Sequence, residues 1–301
     1  MLSRRSFLLT GSAAMAGAVA LPTSVFGGVG HVLNFTPIRK GVGTFTMRGG
    51  TIGYLATPDA VVVVDTQYAE PAATVLSGLR ERADRSIDVL INTHHHGDHT
   101  NGNAVLSPHT GQFIAHVEAA RLKKVAVESR GEPEPASYPT TTYSESLQMR
   151  AGTELLDLRH HGPAHTGGDT VVHFVEANVV HMGDLVFNRM PPFIDMPGGA
   201  SIAGWIQTLE TVHDRFDQDT VFIHGHAGPN YGVTGTREDL LAFRDFLSGL
   251  LEYVQKGLQA GYDVDGLASV DRLPDFPEHY LDSWKDAIPN AIRAAHLELT
   301  R

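Results

Sequence analysis

Thr93-His94-His95-His96-Gly97-Asp98-His99 stands directly after the largely apolar run Ile87 to Ile91. A run of that length bounded by a turn reads as a buried strand, so the segment lies at a strand end. It packs four imidazoles and a carboxylate into one short stretch. Imidazole nitrogen and carboxylate oxygen are the groups that hold zinc and similar divalent cations. With the chain extended, His94, His96 and Asp98 alternate onto one side, and His99 follows where the chain turns away. The plain alternatives are a solvated loop, an adventitious metal binder or a purification tag. A tag would sit at a terminus and lack the ordered Gly and Asp, whereas this run is internal.

Three further segments supply candidate ligands at strand ends. Gly162-Pro163-Ala164-His165-Thr166-Gly167-Gly168-Asp169 places His165 just ahead of a strand. His181-Met182-Gly183-Asp184 places Asp184 just after one, and His224-Gly225-His226 places His226 after the strand from Val221. Strand ends on one rim of a sheet converge, so distant residues can meet there.

The order His-x-His-x-Asp-His, Gly-x-x-His-Thr, Gly-Asp and Gly-His resembles the metallo-β-lactamase superfamily, from about the first hairpin to His226. The resemblance implies an α+β fold, an αββα sandwich of two mixed sheets with helices outside and two metal ions on one edge. Carried over by position, His94, His96 and His165 would hold one ion; Asp98, His99 and His226 would hold the other, with Asp184 bridging. Zn2+ is the ion the resemblance favours, with Fe or Mn as alternatives. Asp98 would also help orient the nucleophile. Asp65, Thr93 and Asp169 match positions that orient ligands through hydrogen bonds. His95 falls at a non-ligand position, and His224 is a rival to His226 for its role. The segment Asn188-Arg189-Met190-Pro191-Pro192-Phe193-Ile194-Asp195, with Ser201, Trp205 and Tyr231, is expected to shape the pocket, Arg189 either meeting a substrate anion or closing a salt bridge.

Such a site implies a hydrolase that activates water on a small-molecule ester, thioester, lactone or amide-like bond. An Asp at position 184 resembles the broader hydrolases of the superfamily more than its β-lactamases proper, which remain an alternative. A mononuclear iron dioxygenase and a non-catalytic binding protein are the other readings. Loss of ligands would mark the last of these, and none is lost.

The chain has 301 residues, no Cys and a formal net charge of -11. Absence of Cys excludes disulfides, thiolate zinc sites and Cys nucleophiles. The acidic balance repels phosphate backbones and excludes a broad nucleic-acid interface. Ser3-Arg4-Arg5-Ser6-Phe7-Leu8 precedes an apolar stretch from Leu9 to Leu21, and Ala18-Val19-Ala20 fits a cleavage site. The pattern resembles a twin-arginine export signal over 1–20, which implies the twin-arginine export machinery as a partner and a periplasmic or secreted protein. The stretch is too short and Gly-interrupted for a stable membrane anchor. Residues 21–40 read as a linker, and 41–301 as one domain whose part 237–301 is helical. The apolar face of Arg237 to Leu258 and a final helix from Asn290, after a boundary at Pro289, support that division.

Overall fold

A computed structural model describes residues 34–130 and 137–301. The export pattern over 1–20, the linker up to residue 33 and most of the Pro-rich loop at 129–139 lie outside the described residues.

Seven strands form the first sheet in sequence order: β1 (Phe35–Arg39), β2 (Val42–Phe45), β3 (Ile52–Ala56), β4 (Val61–Val64), β5 (Ile87–Asn92), β6 (Thr110–His116) and β7 (Thr141–Tyr143). The first four pair antiparallel, and β4 to β7 pair parallel. Next come β8 (Ser146–Ala151), β9 (Glu154–Arg159), β10 (Val171–Phe174), β11 (Val179–His181), β12 (Phe187–Asn188), β13 (Val221–Ile223), β14 (His226–Ala227) and β15 (Thr234–Gly235). The second sheet runs β15-β13-β11-β10-β9-β8, and β12 with β14 makes a small parallel pair. Both large sheets are mixed, and their packing with outer helices is the expected αββα sandwich.

Alternation explains the layers. Along the four consecutive Val of β4, Val62 and Val64 face the second sheet, meeting a layer that includes Leu156, Leu158, Val172 and Phe174. Val61 and Val63 face the other way, toward Val75 and Leu79 of helix α1 (Ala69–Arg82). Each fully buried Val contributes roughly 1.5–3 kcal/mol. After β6 comes helix α2 (Val117–Arg130). Behind the second sheet, helices α3 (Ile202–Arg215), α4 (Arg237–Gln259) and α5 (Ala287–Leu299) share a core with Val180 and Phe222.

Some sequence boundaries move. Strand β1 lies within the stretch read as a linker, so the sheet begins before residue 41. Pro289 sits inside the first turn of α5 rather than ahead of it; a first-turn N–H has no helical partner, so Pro is tolerated there. Strand β8 was not anticipated, although Leu147, Met149 and Ala151 alternate with exposed polar residues. Among the described residues no helix is long and apolar enough to cross a membrane.

Candidate metal centre

The C-terminal ends of β4, β5, β11 and β13 carry Asp65, the His run, the Gly183-Asp184 turn and the His224-Gly225-His226 segment to one edge of the sandwich. The turn between β9 and β10 adds His165. The His run is not extended throughout, contrary to the alternation expected of it. Residues Gly97–Thr100 form a helical turn after His96. That turn separates Asp98 and His99 from His94 and His96.

Two groups result. His94, His96, His165 and Asp184 form one, and Asp98, His99 and His226 the other, each with its potential ligand atoms within 4.8 Å of one another. Asp184 turns one oxygen to each group. Its Oδ2 lies 3.5 Å from Nε2 of His165 and 3.8 Å from Nε2 of His94. Its Oδ1 lies 2.9 Å from Nε2 of His99 and 3.4 Å from Nε2 of His226.

The surrounding hydrogen bonds fix which imidazole nitrogens carry lone pairs. Asp65 accepts from the Thr93 N–H at 2.8 Å and its hydroxyl at 2.7 Å, and from Nδ1–H of His99 at 2.8 Å. Burial pulls the His99 pKa down, but Asp184, Asp98 and Asp65 outweigh it and hold it well above the usual imidazole range; on losing its Nε2 proton the ring presents a lone pair there. The Thr93 hydroxyl has given its hydrogen to Asp65, so at 3.0 Å it accepts from Nδ1–H of His94. Nε2 of His94 is then also a lone pair. Asp195 accepts from Nε2–H of His96 at 3.0 Å, which leaves Nδ1 of His96 facing inward. That nitrogen lies 3.0 Å from Nε2 of both His94 and His165.

In the first group the acceptor nitrogens of His94 and His96 thus face each other, and in the second Oδ1 of Asp184 faces Nε2 of His99 and of His226. Donors bound to one zinc-like ion at roughly 2.0–2.2 Å lie about 3–3.5 Å apart. The all-nitrogen-and-oxygen donor set fits such an ion. In the protein alone, protons must fill this role. Burial pulls the His226 pKa down, but Asp184 and Asp98 outweigh it and bring it up to about 9. Burial pushes Asp98 up, but His99 and His226 outweigh it and leave it at about 2. His165, buried, is held down at about 3.

The glycines of the motifs have a steric reason. A Cβ on Gly225 would lie 2.1 Å from Oδ1 of Asp184. Gly183 has φ +53, and a Cβ there would lie 2.7 Å from Oγ1 of Thr93.

The other expected residues divide. Asp169 accepts from the Thr166 N–H and hydroxyl, bracing the turn that carries His165. Burial raises its pKa to about 7. Trp205 is fully buried beneath the site, its ring centroid 5.2 Å from that of His165 and its indole N–H donating to Leu185 O, and does not line a pocket. Ser201 instead caps α3 by accepting from the Gly204 N–H. His224 is buried outside both groups and is no rival to His226. Arg189 turns away, its Nη1 donating to Asp239 at 2.7 Å and to Asn188 at 2.9 Å, which settles the salt-bridge option. Tyr231 is exposed, with Arg189 5.7 Å from its ring.

His181 escaped the sequence reading, and Asp195, expected only within the pocket-shaping segment, takes a further role. Asp195 also lies 3.3 Å from Nε2 of His95, and its other oxygen accepts from the Gly198 N–H. His181 donates from Nε2 to Thr51 O and accepts at Nδ1 from the Gly183 N–H, so it orients the turn before Asp184. Its place at the end of β11, two positions before Gly183, was the available signal.

A cavity of about 460 Å³ opens onto the two groups, walled by Tyr68, Asn101, Phe187, Met190, Phe193 and Trp284. Phe187 stacks on His226 with ring centroids 5.3 Å apart, and Phe193 meets His96 edge-on at 5.3 Å.

A family model described as the metallo-beta-lactamase superfamily matches residues 46–226. The chain is 27% identical over 248 residues to the 2,4-dinitroanisole O-demethylase subunit alpha of Nocardioides sp. (strain JS1661), covering 79% of this chain and 69% of that protein. It is 32% identical over 134 residues to the hydroxyacylglutathione hydrolase of Cereibacter sphaeroides (strain ATCC 17025 / ATH 2.4.3), covering 43% of this chain but only 44% of that protein. Among solved structures, a metallo-beta-lactamase from Pontibacter korlensis superposes with TM-score 0.58 at 18% identity, covering 71% of this chain and 98% of its own. A double mutant of the sec-alkyl sulfatase PisA1 superposes with TM-score 0.67 at 16% identity, covering 89% of this chain and 51% of its own. The two structures share the fold.

Proposed function

The chain belongs to the metallo-beta-lactamase superfamily, and on that premise we propose that it is an exported hydrolase with two divalent cations, zinc foremost, at the paired groups. The observation that carries the reading is the convergence of imidazole nitrogens and carboxylate oxygens on two points with Asp184 between them. His94, His96 and His165 would hold one cation; Asp98, His99 and His226 the other, with Asp184 shared. When bound, such cations lower the pKa of a water toward about 7 and polarise the bond under attack.

The protein's own groups do the rest. Asp65 and Asp195 hold the tautomers that aim His99 and His96 inward. Asp98, with 28% of its side chain exposed, is the most open acid of the cluster and meets solvent in the cavity. Its low pKa keeps it a carboxylate near neutrality, so it accepts a hydrogen bond from the attacking water and orients it. Phe187 and Phe193 shield the flanks of His226 and His96 from water.

The bond is of the ester, thioester or lactone kind, and the named hydroxyacylglutathione hydrolase supports a thioester arm. The match to an O-demethylase subunit over 79% of this chain adds an activated aryl methyl ether as a second arm. Metal-reconstituted protein assayed against these substrates and a β-lactam, with elemental analysis alongside, tests the proposal. Two cations per chain with turnover of at least one of them is the expected result. A single iron with oxygen consumption favours the dioxygenase reading, and a loaded but inert protein favours a binding role. Export rests on Arg4 and Arg5 ahead of the apolar stretch. Unchanged periplasmic yield after Arg4→Lys with Arg5→Lys would count against it.

A further inference from the structure

The cavity beside the paired groups has an uneven chemistry. Its wall is largely aromatic and thioether, from Tyr68, Phe187, Met190, Phe193 and Trp284, with Asn101 the neutral polar side chain among them. Its charged lining is Asp98, Asp184 and the imidazoles, and among the described residues no Lys or Arg lines it. The nearest arginine in sequence, Arg189 beside Met190, has φ +49 and is committed to Asp239 and Asn188. Arg48 lies over the ring of Tyr68 at 4.6 Å and Lys123 donates to Asn101 at 2.9 Å, so both stand behind lining residues rather than in the lining. Phe193 is 46% exposed, an uncommon state for a Phe that is also packed on a functional imidazole.

A substrate anion away from the scissile bond needs a cationic partner, and desolvating it without one is costly. Away from the cations proposed at the reacting end, the wall offers none. The protein as a whole carries 34 acidic against 23 basic side chains, so its field also opposes anions. Apolar area and ring faces are what the wall does supply.

We propose that this cavity selects uncharged substrates bearing an aromatic or similarly broad apolar group, seated against Phe193, Met190 and Trp284 with the scissile bond toward Asp98 and His226. The inference rests on the hydrolase reading for its chemistry, but its recognition half is separable. Glutathione thioesters and β-lactams, which carry carboxylates, are poor substrates on this account.

Fluorescence separates recognition from turnover. The chain has two tryptophans. Trp205 is fully buried and Trp284 lines the cavity. Metal-reconstituted protein titrated with 4-nitrobenzyl alcohol, an uncharged nitroaromatic with no ester, shows saturable quenching. Trp284→Phe abolishes that signal, and Phe193→Ala, which keeps the reporter, raises Kd about tenfold. In parallel, kcat/KM for 4-nitrophenyl butyrate exceeds that for mono-4-nitrophenyl succinate by about tenfold or more. The two esters differ in a terminal carboxylate. Saturable quenching without turnover of any ester leaves the selectivity standing and sinks the hydrolase reading. Turnover with the succinate equal or preferred overturns the selectivity and leaves the hydrolase intact. Absence of saturable quenching overturns it as well.

Discussion

The carboxylate of Asp195 lies 3.0 Å from Nε2 of His96, ninety-nine positions earlier in the chain. The same oxygen lies 3.3 Å from Nε2 of His95, and the other accepts from the Gly198 N–H. All three neighbours donate, so only a carboxylate satisfies them together.

Asp195→Asn places an amide NH2 against either the imidazoles or Gly198. Zinc affinity falls about 10- to 100-fold, the usual cost of disturbing a partner that orients a ligand. Competition with a chromophoric chelator measures it; an unchanged affinity would show that the contact is idle.

Asp184→Ala removes the group that faces both histidine sets. Elemental analysis is expected to find about one cation per chain or fewer, because carboxylates of this kind bridge paired sites. Two tightly held cations would refute the shared-ligand assignment.

Gly225→Ala forces a methyl to within 2.1 Å of Oδ1 of Asp184. The backbone of Gly225 is tied to Gly183 and Thr51, so relaxation falls on the carboxylate. Activity drops about 100-fold or more, as misplacement by an ångström costs. Far-ultraviolet circular dichroism stays that of the parent. Parental activity would mean that Asp184 is not required in its observed position.

His279 is buried among Phe246, Phe276 and Phe243, and neither ring nitrogen has a hydrogen-bond partner. Burial, with a smaller contribution from Arg189, holds its pKa at about 3. Folded protein keeps the ring neutral while unfolded chain takes up a proton below about 6.5. Stability is therefore lost as pH falls from 6.5 toward 3. Between pH 7 and 5 the loss is about 2 kcal/mol. His279→Phe should flatten this slope, cutting the Tm difference between those pH values by about 4 °C. Thermal unfolding at both pH values decides it, and an equal slope in the variant would assign the acid sensitivity elsewhere.

The His run, the Gly-Asp turn and the Gly-His step were legible because each packs polar ligand types beside a glycine at a strand end. The layers were legible from the Val of β4 and the apolar face of α4. The segment ending at Asp195 was expected near the pocket, but its hold on the imidazoles was not legible, because only the fold brings His95 and His96 to it. Trp284 was hidden for the same reason: it joins Phe193 and Tyr68 only in space. For Arg189 the two options stayed open in the sequence, since the Asp239 that claims it lies fifty residues on. Short-range pattern reveals what a strand end offers, and long-range contacts decide what those groups face.

His94 to His99 hang from the first sheet, while His165, Asp184 and His226 hang from the second. Cations gripped by both would act as a clasp between two leaves of a book that has no disulfide stitching, since the chain contains no cysteine. Loading would then do mechanical work beyond chemistry, making the leaves part in one event under heat or force. Stripped of its ions by a chelator, the protein would open first along that seam.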